Sequence, residues 1–297
     1  MASLSHTLEY YSLVSIAWVL NALPRKMALG VGASVGELGW LLRIRRSLVL
    51  ANLKQALPNT DERKRKRIAA RAARNFGRTA TEFIRTSNSD RNRLANLIHV
   101  DGKKQILEAL EKGNGALLLT GHFGAWATYF AALAMNEKVP LALLVGKQHN
   151  ERVDQFIHGL SAGEVELISK GRSAIRKILA NIKAGRAVII VADQHPGKSG
   201  IMTPFLGRET PTLALPSSFA VKHNIPVFTL TGHREKTGTH RIVIKALKTE
   251  PCETDEQRKK NILSAYNEVL GKAIKQHPDQ YFWYHRRWRD ADFLESV

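Results

Sequence analysis

Residues 121–130 read GHFGAWATYF. His122 directly follows an apolar run, GALLLT, and stands just ahead of residues that can form a helix. A histidine between a strand and a helix can act as a general base, taking a proton from a reacting hydroxyl. A helix beginning at the histidine would favour the neutral imidazole that a base needs. A base of this kind works with a carboxylate that orients it and stabilises its charged form. Five residues on, where an His-x4-Asp/Glu spacing would place that acid, stands Ala127, and the next acid along the chain is Glu137. A second apolar run, AVIIVAD, ends in Asp193 and Gln194. Strand C-termini in a parallel α/β sheet converge on one crevice, so His122 and Asp193 can share a site. Taken alone, His122 reads either as a general base or as a structural histidine.

Other chemistries find little support. The chain holds no Walker loop, HExxH, CxxC or GxSxG pattern, and its 11 histidines form no close ligand spacing. His233 and His240 flank an expected turn between two strands. The single cysteine, Cys252, lies in the polar stretch TEPCETDEQ without an activating base and reads as an incidental surface thiol. No metal and no cofactor is expected.

The elements that must position these residues fall into three zones. Residues 8–23, LEYYSLVSIAWVLNAL, are mostly apolar with three aromatics, and a proline followed by Arg25 and Lys26 closes them. Residues 1–24 are therefore expected to anchor the chain to a membrane, with a buried amphipathic helix as the alternative. Residues 25–100 read as a helical region packing on the core. Within it Ala28, Gly32 and Gly36 recur every four residues, which suits close helix–helix packing. Farther on, a helix over 61–85 carries Arg63, Lys64, Arg65, Lys66, Arg67, Arg71 and Arg74 opposite its apolar face. That face is either solvated or a surface for phosphates or an acidic protein. Residues 101–297 alternate apolar runs at 115–120, 141–146, 187–193, 226–231 and 240–247 with helical patterns at 125–136, 151–160, 173–184, 212–223 and 255–276. The fold class expected is α/β: a mixed, largely parallel sheet flanked by helices. With 45 Lys and Arg against 26 Asp and Glu, the net charge of +19 favours a polyanionic partner.

Several ordered blocks together carry a resemblance. LPRKMALGVGASVGELGWLLRIRRSLVLANLKQALP, GNGALLLTGHFGAW, VADQ followed by TPFLG, and PDQYFWYHRRWR are similar to successive blocks of the lipid A late acyltransferases, nearly end to end. These are the lauroyl and myristoyl transferases of the lysophospholipid acyltransferase superfamily. The resemblance implies a glycerolipid-acyltransferase-like fold. It also implies transfer of a fatty acyl chain from acyl carrier protein to a hydroxyl of a lipid A precursor, at the cytoplasmic face of the inner membrane and against anionic lipids. His122 would be the base, and the family pattern HFGAWE would place its acid where this chain has Ala127. With Trp126 and everything around it intact, the chain reads as an inactivated variant in which Ala stands for Glu. Loss of the acid is expected to cost ~10²–10⁴ in rate. A further reading lets Asp193 supply the missing charge. The resemblance also suggests Arg172 for a headgroup phosphate and Asp193 with Gln194 along the acceptor site. Trp283, Arg286, Arg287, Trp288 and Arg289 would form an interfacial strip, unless the tail packs on the sheet.

Three other readings stay in view: an acyltransferase acting on another glycolipid such as a phosphatidylinositol mannoside, a non-catalytic scaffold, and a basic nucleic-acid-binding protein. The ordered blocks argue against the last, and no nucleic acid is expected as partner.

Overall fold

The computed structural model describes residues 4–86, 91–113, 115–146, 148–160, 165–197 and 199–289. The first three residues of the expected anchor, positions 87–90 of the expected helical zone and the last eight residues of the chain lie outside the described residues. Four helices come first: α1 (Leu4–Ala22), α2 (Arg25–Leu41), α3 (Arg46–Ala56) and α4 (Glu62–Thr86). A short α5 (Arg91–Leu97) leads into β1 (Ile98–Asp101), so the helical reading of 25–100 stops at Leu97. Then follow α6 (Lys103–Glu111), β2 (Ala116–Thr120), α7 (Trp126–Met135), β3 (Leu141–Val145), α8 (Glu151–Gly159), β4 (Val165–Ser169), α9 (Ala174–Lys183) and β5 (Ala187–Val191). The hairpin β6 (Gly200–Phe205) and β7 (Arg208–Leu213) precedes α10 (Leu215–His223), β8 (Val227–Arg234), β9 (His240–Ala246) and α11 (Asp255–Gln276).

The seven-stranded sheet runs β1-β9-β8-β2-β5-β3-β4, parallel throughout except for the β8–β9 pair. The mixed, largely parallel α/β architecture is thus present. Its central strands ALLLT and AVIIV are continuous apolar runs because helices cover both faces. Leu117, Leu119, Val188 and Ile190 enter the core on one side, and Ala116, Leu118, Ala187 and Ile189 the core on the other. β1, β4 and the β6–β7 hairpin escape a reading based on long apolar runs, because β1 spans four residues and the others carry polar positions. The helix expected over 212–223 begins only at Leu215, since 208–213 pairs with β6.

The glycines of α2 serve close packing, as their spacing suggests. At the crossing with α4, a Cβ on Gly36 would collide with the Ala73 carbonyl, and one on Gly32 would stand 2.6 Å from the Gly77 carbonyl. Helix α1 is half docked. Ala17 and Leu20 are buried, Asn150 beside α8 reaches its His6 carbonyl and Glu9, and Arg85 of α4 donates to the Leu20 and Leu23 carbonyls at its end. Leu13 and Val14 are half-buried, while Leu4, Leu8, Ile16 and Trp18 among its other apolar side chains face outward. Among the described residues no single helix is long and apolar enough to cross a membrane, although α2 and α3, bent by 95°, pass together by length and composition.

The substitution Gly36→Ala is expected to force α2 and α4 apart. Overpacking of this kind costs about 1–3 kcal/mol, which denaturant unfolding of the variant beside the parent would read.

Candidate functional site

Strands β2 and β5 are neighbours in register, Thr120 opposite Val191. Two residues beyond each lie His122 and Asp193, and the shared register brings them together. Asp193 is fully buried, and one carboxylate oxygen accepts from the His122 backbone N–H at 3.0 Å while the other meets His122 Nδ1 at 2.8 Å. Burial pushes the Asp193 carboxyl up. The His122 charge and hydrogen bonds, with His285 behind them, outweigh that and hold it well below the usual carboxylate range. An ionised carboxylate only accepts hydrogen bonds, so when the imidazole is neutral its Nδ1 carries the proton and Nε2 is left as the acceptor.

Two glycines make this approach possible. A Cβ on Gly121 would stand 3.2 Å from Asp193 Cβ and 2.7 Å from Leu270, so a side chain there would wedge the pair apart. Gly124, at φ +62°, turns the chain toward α7 in a left-handed conformation that other residues rarely adopt. The helix begins at Trp126, so His122 sits in the turn ahead of it and not at its first residue. The N–H groups of 122, 123 and 124 are committed to Asp193, the Gly121 carbonyl and the Gln280 carbonyl.

A cavity of about 530 Å³ opens beside the pair. His122, Trp126, Ala127, Gln194 and His195 stand on it, and Trp126 meets the imidazole edge-on at 5.1 Å. Phe130, Leu143, Leu144, Val165, Leu167 and Val191 give it an apolar wall, while Gln148, His158 and Lys170 supply polar groups. Among the described residues lining it there is no carboxylate. Of the residues singled out in the sequence, His122, Trp126, Ala127 and Gln194 therefore share this cavity, with Asp193 beneath it. Arg172 is exposed and does not line it, whereas Lys170, two residues earlier, does. No group of three or more His, Cys, Asp or Glu among the described residues is placed to hold a metal ion.

The C-terminal blocks land elsewhere than an interfacial strip would require. Trp283, Arg287 and Trp288 are buried, leaving Arg286 and Arg289 exposed. The segment after α11 lies across the Gly-His turn: Phe282 N–H donates to the His122 carbonyl at 3.0 Å, and Phe123 and Tyr281 form an antiparallel bridge. Aromatic rings one after another in YFWY were the sequence signal for this packing role. His233 and His240 do flank the β8–β9 turn, and His240 is buried between Tyr129 of α7 at 3.1 Å and Glu82 of α4 at 3.0 Å. Glu82 is the hub beneath α7, bonded also to Arg234 at 2.5 Å and Arg25 at 2.9 Å.

Comparison with known proteins agrees with the ordered blocks and the geometry. Residues 2–290 match the family described as bacterial lipid A biosynthesis acyltransferase. The chain belongs to this family. It is 23% identical over 293 residues to the lipid A biosynthesis palmitoleoyltransferase of Escherichia coli (strain K12), covering 95% of this chain and 92% of that protein. The lipid A biosynthesis acyltransferase of Shigella flexneri matches to the same extent. As a lipid A acyltransferase the chain places its Gly-His turn and its buried aspartate at the C-terminal edge of the sheet, where ligands of open α/β sheets bind.

The Glu82 hub gives this acyltransferase an acid sensitivity. Burial raises the Glu82 carboxyl, but Arg234 and His240 lower it to about 2 from an ordinary 4.5. A depressed carboxylate contributes stability above its unfolded value, and that contribution is lost as pH falls from about 4.5 toward 2. The full contribution is about 3 kcal/mol. Glu82→Gln should lower stability at neutral pH by an amount of that order and flatten the acid limb of the stability curve, as denaturant titrations at several pH values would show.

Proposed function

We propose that this lipid A acyltransferase moves a fatty acyl group from an acyl carrier protein thioester to a hydroxyl of a lipid A precursor, with His122 as general base and Asp193 as the acid that orients it. The observation that carries the reading is a fully buried carboxylate on Nδ1 of a histidine standing at the mouth of an apolar cavity. With Nδ1 bonded, Nε2 takes the proton of the acceptor hydroxyl as its oxygen attacks the thioester carbonyl. The C–S bond then breaks, and the leaving thiolate takes the proton from the imidazolium. Asp193 stabilises that cation through the bond it already makes, as the third member of a hydrolase triad does, with the acceptor hydroxyl in the place of serine. Because 122–124 spend their N–H groups on protein acceptors, the first-turn N–H groups of α7, free by helix geometry, are the donors left for the oxyanion. The apolar wall suits an acyl chain. The cation and imidazoles on a rim free of described carboxylates suit an anionic headgroup or carrier phosphate.

Position 127 keeps its own part. Ala127 lines the cavity in the first turn of α7. A carboxylate there would add a second negative charge beside the developing imidazolium, and its absence leaves the base oriented but less well supported. This chain is therefore read as impaired at 127 rather than without a catalytic pair.

The chain also carries an exposed apolar surface. Leu38, Leu41, Leu42 and Ile44, at the α2–α3 corner, are all more than half exposed, beside Arg43, Arg45 and Arg46. Outward apolar residues of α1 and α2 extend the patch. Apolar side chains rimmed by arginines fit the interface of an anionic bilayer, and they support a location at the cytoplasmic face of the inner membrane. The basic face of α4 remains for the acidic carrier protein.

The test is acyl transfer from lauroyl- and myristoyl-carrier protein to an under-acylated lipid A precursor. Ala127→Glu should raise the rate by ~10²–10⁴, and adding Asp193→Asn to it should remove ~10²–10⁴ again. Equal rates for the parent and Ala127→Glu would remove position 127 from the account. Flotation with phosphatidylglycerol vesicles, without comparable retention of an oligonucleotide, is the matching result for the membrane surface.

A further inference from the structure

Helices α1, α2 and α4 form a groove of about 340 Å³ that the chemistry above leaves unused. Leu20 of α1, Val31 and Val35 of α2, Phe76 and Ile84 of α4, and Tyr284 of the C-terminal segment stand on it. Among the described residues lining it none is charged, and the hydroxyls of Thr81 and Tyr284 are its polar side-chain groups. Thr81 already donates to the Gly77 carbonyl at 3.0 Å. Such a lining offers little to a sugar or a phosphate and suits hydrocarbon.

Aromatic rings join this groove to the base. Phe76 and Tyr284 pack on Phe282 with ring centroids 4.8 and 5.7 Å away. Phe282 in turn lies 6.0 Å from the His122 ring and 6.3 Å from Trp126. A small gap of about 10 Å³ shares Phe76 with the groove and Trp126 with the cavity beside His122. Two apolar spaces thus border one aromatic cluster around the imidazole. Toward solvent, Ile16, Val31, Val35 and Ile44 line the groove and are exposed, so it opens onto the outward apolar surface of α1 and α2. Arg45 donates to the Tyr284 carbonyl at 2.7 Å, which sets a guanidinium at its edge.

We infer that this groove is a subsite for a hydrocarbon chain of the acceptor lipid. The inference rests on acyl transfer at His122 to a lipid hydroxyl. A transferase that joins two lipids handles two hydrocarbon partners at once, and the cavity beside Ala127 takes the incoming chain. A chain already on the acceptor avoids water only where a second apolar surface approaches the base. The groove is that surface: its lining is uncharged, it opens outward, and it stands two ring contacts from His122. Arg45 at its edge suits the anionic headgroup from which such a chain hangs. An acceptor that carries a chain is thereby preferred to a bare sugar, which would leave the groove empty.

The experiment is photolabelling of the full chain in phosphatidylglycerol vesicles. The probe is an under-acylated lipid A precursor with a terminal diazirine on one acyl chain, and adducts are mapped by peptide mass spectrometry. Labelling reads binding, so it depends neither on turnover nor on position 127. Adducts should fall on the peptides holding Val35 and Phe76. They should drop on the order of tenfold in Ala80→Trp, which fills the groove from an exposed position of α4. Gly39→Leu should do the same and decides the matter should Ala80→Trp fail to fold, since a Cβ at Gly39 meets nothing nearer than Ile44 at 3.7 Å. In the Ala127→Glu background the acceptor KM should rise by a similar factor with the donor KM little changed. Unchanged labelling in the folded variants would overturn the proposal. So would equal groove labelling by phosphatidylglycerol bearing the same diazirine, undisplaced by excess precursor, which would make the groove a general lipid contact. Lauroyl-carrier protein with a terminal diazirine reports on the other assignment. If it leaves the cavity peptides unlabelled while the precursor still labels the groove, the subsite stands and the reading of the cavity falls, which separates the two failures.

Discussion

A carboxylate without access to water holds His122 from two directions, at the backbone N–H and at the ring, and much of the molecule is arranged to permit it. An ionised group in a protein interior is tolerated only with several hydrogen bonds and compensating charge. The in-register pairing of β2 with β5 brings the two residues together, Gly121 lets the chains approach, and Leu270 of α11 seals the far side. The Tyr266 hydroxyl, also from α11, holds the Thr120 carbonyl at 2.7 Å, fixing the end of the strand from which the turn departs.

A second buried charge cluster does the same for the elements around the pair. Glu82 ties α4 to β8, β9 and the start of α2, and through His240 it reaches Tyr129 in α7. Arg234 also exchanges hydrogen bonds with Gln280, its backbone N–H donating to Oε1 at 2.7 Å and its carbonyl accepting from Nε2 at 2.8 Å. The segment across the Gly-His turn is thereby fastened to the same hub. Asn52 of α3 holds that segment from the other side, through the Trp283 and His285 carbonyls. The helical N-terminal region is thus joined to the Gly-His turn by buried polar contacts.

How much of this could be read from the residues alone varies with the kind of signal. His122 and Asp193 were legible as a pair because both follow strongly apolar strands, and parallel strands deliver their C-terminal residues to one edge. The glycine spacing of α2 announced its close crossing with α4. The partner relation of Asp193 to Nδ1 was obscured by the His-x4 pattern, which draws attention along the chain, while the contact comes from a neighbouring strand. Arg287 and Trp288 were misplaced because alternating aromatic and basic residues look alike at a membrane interface and in a polar core. Only tertiary contacts such as the Arg287 bond to Thr212 separate the two cases. Short polar strands such as β1 and the β6–β7 hairpin gave no apolar run to find.

The central claim is that Asp193 fixes which imidazole nitrogen is available to the acceptor hydroxyl. Nitrogen chemical shifts of His122 at neutral pH test it most directly, since a protonated and a bare ring nitrogen differ widely. The account predicts a neutral ring protonated at Nδ1 and bare at Nε2, with that preference lost in Asp193→Asn. A ring protonated at Nε2, or a preference unchanged by removing the aspartate charge, would contradict it.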